Sequence, residues 1–187
     1  MKKALFLLVV FIAIPAFLYF ALDRENIDIN EFRLNSGYQE VKLSEGITSY
    51  KDIGDKNNKV IVLVHGATFG SLAYEEYVNV FLENNYRVIT YDQYGRGYSD
   101  RVHTEVSIEL MERQLKELIE HCEVEDIILY GVSFGAAVVA KYASNNLEKI
   151  SFIGYQVPVI SSANIPLLSI VKIPLYGDLL SRGFLVP

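Results

Sequence analysis

Cysteine is nearly absent from the chain: Cys122 stands alone among 187 residues. That excludes an intrachain disulfide and any cysteine-based zinc cluster. Basic residues are outnumbered, 17 against 23 acidic ones, giving a formal net charge of -6. Such a balance argues against a nucleic-acid partner, because little is available to neutralise phosphates. No internal repeat or low-complexity stretch occurs. With 51% hydrophobic and 21% charged residues, the chain is neither disordered nor collagen-like. Its length suits one domain of ordinary size and is too short for two well-packed ones. Histidine is scarce too: His65, His103 and His121 are the only three, and none follows residue 121.

Charge is missing altogether from Ala4 to Leu22, a run broken only by Pro15 and preceded by Lys2 and Lys3. At 1.5 Å per residue this stretch just spans a bilayer core of roughly 30 Å. Residues 1–22 therefore read as a transmembrane anchor or as a signal peptide. As an anchor, residues 4–22 sit in the membrane, the paired lysines stay cytoplasmic, and the rest lies on the extracytoplasmic side. As a signal peptide, the chain is secreted after cleavage. Its best small-residue site, Ile14-Pro15-Ala16, matches the A-x-A pattern poorly. A buried soluble helix is the third reading. No cysteine follows closely enough for lipoprotein processing.

Residues 23–36 are polar and charged and read as a linker. Strands are expected at Tyr38–Leu43 and Ile47–Ile53, joined by Ser44-Glu45-Gly46 as an antiparallel hairpin. Asp55–Asn58 is a polar turn. Val60–Val64 is an unbroken β-branched and aliphatic run, the pattern of a strand buried on both faces. A helix is expected from about Leu72 to Glu83 and a strand at Arg87–Tyr91. Apolar residues at Ile108, Met111, Leu115, Leu118 and Cys122 mark one face of a helix within Val106–Glu120. Glu109 and Glu112 suit its first turn. A strand at Ile127–Tyr130, a small-residue helix from Phe134 and a strand at Ile150–Gly154 follow. Strand and helix alternate, so the class is α/β with a mostly parallel sheet covered on both faces.

Two segments carry chemistry. Gly131-Val132-Ser133-Phe134-Gly135 is a G-x-S-x-G between a buried strand and a helix. Gly131 and Gly135 leave room for a sharp turn that presents Ser133 above the sheet at a helix N-terminus. His65-Gly66-Ala67 directly follows the Val60–Val64 strand. Acyl transfer needs two backbone N–H groups aimed at an oxyanion; Phe134 and Ala67 are the expected donors. His65 reads as a structural histidine that holds this loop through hydrogen bonds. Phosphate loops are excluded: Gly66–Ser71 lacks a Gly-Lys-Ser/Thr ending, and Gly95–Asp100 has Asp100 where a dinucleotide fingerprint needs a small residue. No cofactor and no metal is expected.

With His65-Gly66, Asp92-Gln93-Tyr94-Gly95-Arg96-Gly97-Tyr98-Ser99 and Gly131–Gly135 in that order, the chain resembles the α/β-hydrolase superfamily from about Tyr38 to Pro187. The resemblance implies the α/β-hydrolase fold, Ser133 as nucleophile, Ala67 and Phe134 as oxyanion donors, and a small-molecule acyl substrate. It also implies that Asp92 and Arg96 lie on a structural loop beside the site. A serine at 133 argues against the aspartate-nucleophile branches, and Ala67-Thr68-Phe69 lacks the glycines and proline of the proline iminopeptidase branch.

The family's order is serine, acid, histidine, yet no histidine follows Ser133. Tyr155-Gln156-Val157 stands where an acid is expected, and Asp178 is the only downstream aspartate. Residues 37–160 are therefore expected to be a partial hydrolase core, and 161–187 the start of a helical cap, cut off before the acid and base. The apolar cap and the anchor together suggest a lipophilic substrate. The expectation is a membrane-anchored serine hydrolase cleaving an ester or related acyl bond. Its rivals are a non-catalytic binding module of the same shape and an inactive fragment.

Overall fold

The computed structural model describes residues 2–21 and 28–158. Lys2–Ala21 is one α-helix (α1) containing Pro15, and its described side chains begin at Val10. Among the described residues no helix is long and apolar enough to cross a membrane. Of the span expected at residues 4–22, residues 4–21 lie in α1. The expected cap, 161–187, lies outside the described residues.

Ile29–Ile160 forms a compact unit of its own. It starts earlier than the expected boundary at residue 37. The presumed linker 23–36 is helical from Ile29 to Leu34 (α2). The reason is Arg33, which is buried and paired with Asp100 at 2.7 Å, while Phe32 stacks on Tyr98 at 4.7 Å between ring centroids. A six-residue helix has no stability of its own and forms only by docking.

β1 (Gln39–Lys42) and β2 (Ile47–Ile53) form the expected antiparallel hairpin. β3 (Val60–Val64) is buried along its whole length. A 3-10 turn at Ser71–Tyr74 precedes α3 (Glu75–Glu83), so the α-helix starts later than the apolar pattern suggests. β4 (Arg87–Tyr91), α4 (Ile108–His121), β5 (Ile127–Val132), α5 (Phe134–Ala143) and β6 (Ile150–Gln156) follow. Ser107 caps α4, its hydroxyl accepting the Leu110 N–H at 3.1 Å.

The six strands run in the order β1-β2-β4-β3-β5-β6. β2 meets β4 antiparallel, and β4, β3, β5 and β6 are mutually parallel. Alternation along β3 divides the core. Val60, Val62 and Val64 join Leu115 and Leu118 of α4 and Val138 of α5 on one face. Ile61 and Leu63 join Tyr74 and Val78 on the other. Both faces are covered at β3, as a buried parallel strand requires, whereas the edge strand β6 leaves Phe152 and Tyr155 exposed. β5 and β6 extend two residues past their expected ends because Gly131 and Val132 pair with Tyr155 and Gln156.

Candidate active site

Parallel strands bring their C-terminal ends to one edge of the sheet. There β3 delivers His65, β4 delivers Asp92, β5 delivers Ser133 and β6 ends on Gln156. Three motifs far apart in sequence thus meet on one side, where open α/β sheets form their sites.

Ser133 has φ 53° and ψ -117°, a backbone conformation sparsely populated by residues other than glycine. No loop separates β5 from α5 except this residue, so it absorbs the whole turn. A Cβ on Gly131 would stand 2.7 Å from both Ala136 Cα and the Gly135 carbonyl oxygen. A Cβ on Gly135 would run into the Val64 carbonyl and stand 2.5 Å from that of His65. Both glycines are required by close approach of the backbone. The Ser133 N–H donates to the Gln156 carbonyl at 3.0 Å, tying the turn to β6. The first N–H groups of α5, Phe134 among them, have no acceptor within the helix, while the Phe134 side chain packs on the larger core cluster.

The loop after β3 lies against the serine. A Cβ on Gly66 would stand 3.2 Å from Ser133 Cβ and 3.7 Å from its Oγ. His65 holds this loop. Its Nε2 accepts the Gln93 N–H at 2.8 Å, which leaves Nδ1 as the protonated nitrogen that donates to the Gly66 carbonyl at 2.6 Å. In a trans peptide the N–H points opposite to the C=O. The His65 bond therefore turns the Ala67 N–H away from the imidazole. The Gln93 side-chain amide donates to the His65 carbonyl, and Arg96 Nε donates to the Ala67 carbonyl.

Burial lowers the His65 pKa from its ordinary value, outweighing the opposing Gly66 bond and Asp92 charge. The folded protein thus binds a proton at His65 less readily than the unfolded chain. This contribution to stability is complete above the unfolded pKa of about 6.5 and is lost as pH falls below it. Thermal melts between about pH 8 and pH 5 are expected to fall below about pH 6.5 with a slope approaching one proton, about 1.4 kcal/mol per pH unit. His65→Gln is expected to flatten that slope; parallel wild-type and variant curves would contradict the neutral, doubly bonded imidazole.

With both ring nitrogens committed to backbone groups, His65 is no base for Ser133. His121 Nε2 meets the Tyr50 hydroxyl at 3.0 Å, and His103 is exposed. At the end of β6, the Gln156 Oε1 accepts the hydroxyls of Tyr130 at 2.9 Å and Tyr77 at 3.2 Å. Burial pushes the Cys122 thiol up to about 11, so it stays protonated at neutral pH. Among the described residues no group of three or more His, Cys, Asp or Glu side chains could hold a metal ion.

Asp92 is buried and organises the loops around the serine. Its Oδ1 accepts the Ser71 N–H at 2.7 Å and the Ser71 hydroxyl at 2.8 Å; its Oδ2 accepts the Tyr98 N–H at 2.9 Å. Its carbonyl accepts the Ser99 hydroxyl at 2.5 Å and the Gln114 amide at 3.0 Å. Gln114 in turn accepts the Tyr94 N–H and donates to Thr48. Gln93, Gln114, Ser71 and Arg33 have no signal in the periodicity or the motifs, because each acts through hydrogen bonds to residues far away in sequence.

The family described as serine aminopeptidase, S33 (Hydrolase_4) matches residues 55–170. A Synechocystis sp. protein bearing a non-heme chloroperoxidase name is 32% identical over 104 residues, 54% of this chain and 37% of its own. A carbendazim hydrolyzing esterase of Nocardioides sp. is 33% identical over 95 residues, 50% of this chain and 39% of its own. The solved bromoperoxidase of Bacillus anthracis is similar with a TM-score of 0.63 and 28% identity, over 69% of this chain and 49% of that one. The matched stretch thus spans under two fifths of each curated relative and about half of the bromoperoxidase. Strand order, strand-to-helix elbow and a family match over more than half its length agree: this chain belongs to the serine aminopeptidase S33 family of α/β-hydrolases.

Proposed function

We propose that the chain is a membrane-anchored serine hydrolase in which Ser133 attacks a carboxylic ester or related acyl bond. Ser133 Oγ bonds to the acyl carbon, the bond to the leaving alcohol or thiol breaks, and the leaving group takes the proton. Water then cleaves the acyl-enzyme, returning the hydroxyl to Ser133 and releasing the acid. The observation that carries this reading is the backbone of Ser133, held at φ 53° between Gly131 and Gly135. Such a conformation costs about 1–3 kcal/mol and persists where the surroundings enforce it, typically at functional sites. The N–H groups of Ala67 and Phe134 are the proposed oxyanion donors.

Phe69 and Leu72, 65% and 51% exposed beside the oxyanion loop, favour a lipophilic acyl group. The uncharged run at residues 4–22 behind Lys2 and Lys3 supports an anchor with the hydrolase unit on the extracytoplasmic side. Secretion after cleavage of that run is the alternative location. In the family's order the acid and base come after the nucleophile, and these 187 residues carry the nucleophile and the oxyanion loops without a later histidine. A serine hydroxyl without a base is almost wholly protonated and a weak nucleophile. By itself the 187-residue chain is therefore expected to be slow, about 10³–10⁴ over water, the residue left by binding and an oxyanion hole.

A fluorophosphonate probe tests this reading. Slow labelling of the folded chain is expected, with complete loss in Ser133→Ala and unchanged melting behaviour. Absence of labelling in folded wild-type protein would favour a non-catalytic binding module, a reading supported by Gln156 standing where an acid is expected.

A further inference from the structure

Arg33 is 4% exposed, an unusual position for a charged residue on the first, six-residue helix of the compact unit. Burying an ion pair seldom adds net stability, since desolvation offsets the attraction. What the Arg33 contacts do supply is geometry. Its Nε donates to the Tyr98 carbonyl at 2.5 Å, and its NH2 group donates to Asp100 Oδ1 at 2.7 Å. The other oxygen of Asp100 accepts the Ile47 N–H at 2.8 Å, and its carbonyl accepts the Gly95 N–H at 2.8 Å.

Arg33 thus grips the far end of the Asp92–Asp100 loop. The near side of that loop holds the oxyanion segment at two points. Arg96 Nε donates to the Ala67 carbonyl, and Asp92 takes both the N–H and the hydroxyl of Ser71. Tyr98, whose carbonyl Arg33 binds, gives its own N–H to Asp92. One uninterrupted set of hydrogen bonds therefore runs from α2 through residues 92–100 to both ends of the 67–71 segment.

We propose that Arg33 is a positioning residue for the oxyanion loop, acting through Asp100 and Tyr98 on Ala67; this rests on the reading of Ala67 as an oxyanion donor. Arg33 touches no reacting atom. Without it the 92–100 loop loses its outer tie and Arg96 releases the Ala67 carbonyl, so that only the His65 bond to the Gly66 carbonyl still orients the peptide that carries the Ala67 N–H. Small misplacements of this kind slow chemistry without weakening ground-state binding.

The test uses the full chain in detergent as wild type, Arg33→Ala, Arg33→Lys and Arg113→Ala. The last breaks an exposed pair with Glu45 and serves as the control. Amide hydrogen exchange at residues 66–71 and fluorophosphonate labelling of Ser133 are both measured, below the melting temperature of every variant. Arg33→Ala is expected to speed exchange at 66–71 while β3 and α5 stay protected. Its labelling rate is expected to drop about tenfold at unchanged apparent probe affinity. Arg33→Lys is expected to recover part of both effects through Asp100, and Arg113→Ala to change neither. Unchanged exchange at 66–71 in Arg33→Ala overturns the proposal, as does faster exchange spread evenly over β3 and α5. Selective loosening of 66–71 with no labelling in any variant, wild type included, would keep the positioning role and sink the hydrolase reading instead.

Discussion

Gly135→Ala is expected to destabilise the folded unit by about 3 kcal/mol or more, toward the upper end of what overpacking does. The added methyl would meet the Val64 carbonyl oxygen and stand 2.5 Å from that of His65. Both belong to the buried end of β3 and its first loop residue, and neither is a flexible side-chain tip that can move aside. Either α5 lifts from the sheet or β3 shifts, and both moves displace Ser133. Gly95→Ala separates this effect from simple backbone strain. Gly95 has φ 76° with nothing within 4 Å of an added Cβ, so its substitution costs only the left-handed conformation, about 1–2 kcal/mol. Urea unfolding of the two variants beside wild type checks the pair. A Gly135→Ala protein no less stable than Gly95→Ala would mean the α5–β3 approach is looser than described.

Asp92→Ala is expected to be nearly as severe. Its carboxylate accepts three hydrogen bonds from Ser71 and Tyr98, and Asp92 is only 1% exposed. Truncation leaves two backbone N–H groups and a hydroxyl without their acceptor, at about 1–3 kcal/mol for each group that stays buried and unpaired. A loss of about 3 kcal/mol is expected after local relaxation. Ser133 labelling should fall along with it, since the same carboxylate holds the end of the oxyanion segment. Asp92→Asn keeps one oxygen acceptor and replaces the other with an NH2 that faces a donor. It is therefore expected to fall between wild type and alanine in urea unfolding. An alanine variant within about 0.5 kcal/mol of wild type, the range of ordinary surface substitutions, would contradict the network.

The elements that carry a period or an uninterrupted run were readable in advance. Val60–Val64 is a strand buried along its length, and α4 buries Met111, Leu115 and Leu118 as their spacing requires. The elbow was legible because G-x-S-x-G stood between a buried run and a small-residue helix, and Ser133 is at positive φ there. Structural use of His65 was also legible, though not its tautomer, which depends on the Gln93 N–H from another strand end. α2 escaped detection because six residues are too few for a helical period, and a buried arginine reads as a solvated one. Gln114 lies on the inner face of α4, where its neighbours in sequence give no hint that backbone groups 20 and more residues away need its amide. In general, local patterns encode elements; the bonds that lock loops into a site join residues whose separation has no period.

The most direct measurement is the intact mass of the chain after incubation with an activated ester such as p-nitrophenyl acetate, followed by peptide mapping. One added acyl group on the Ser133 peptide, absent in Ser133→Ala and removed by hydroxylamine, is the predicted result. Folded wild-type protein that gains no acyl group, or gains it equally in Ser133→Ala, would contradict the assignment of Ser133 as the nucleophile.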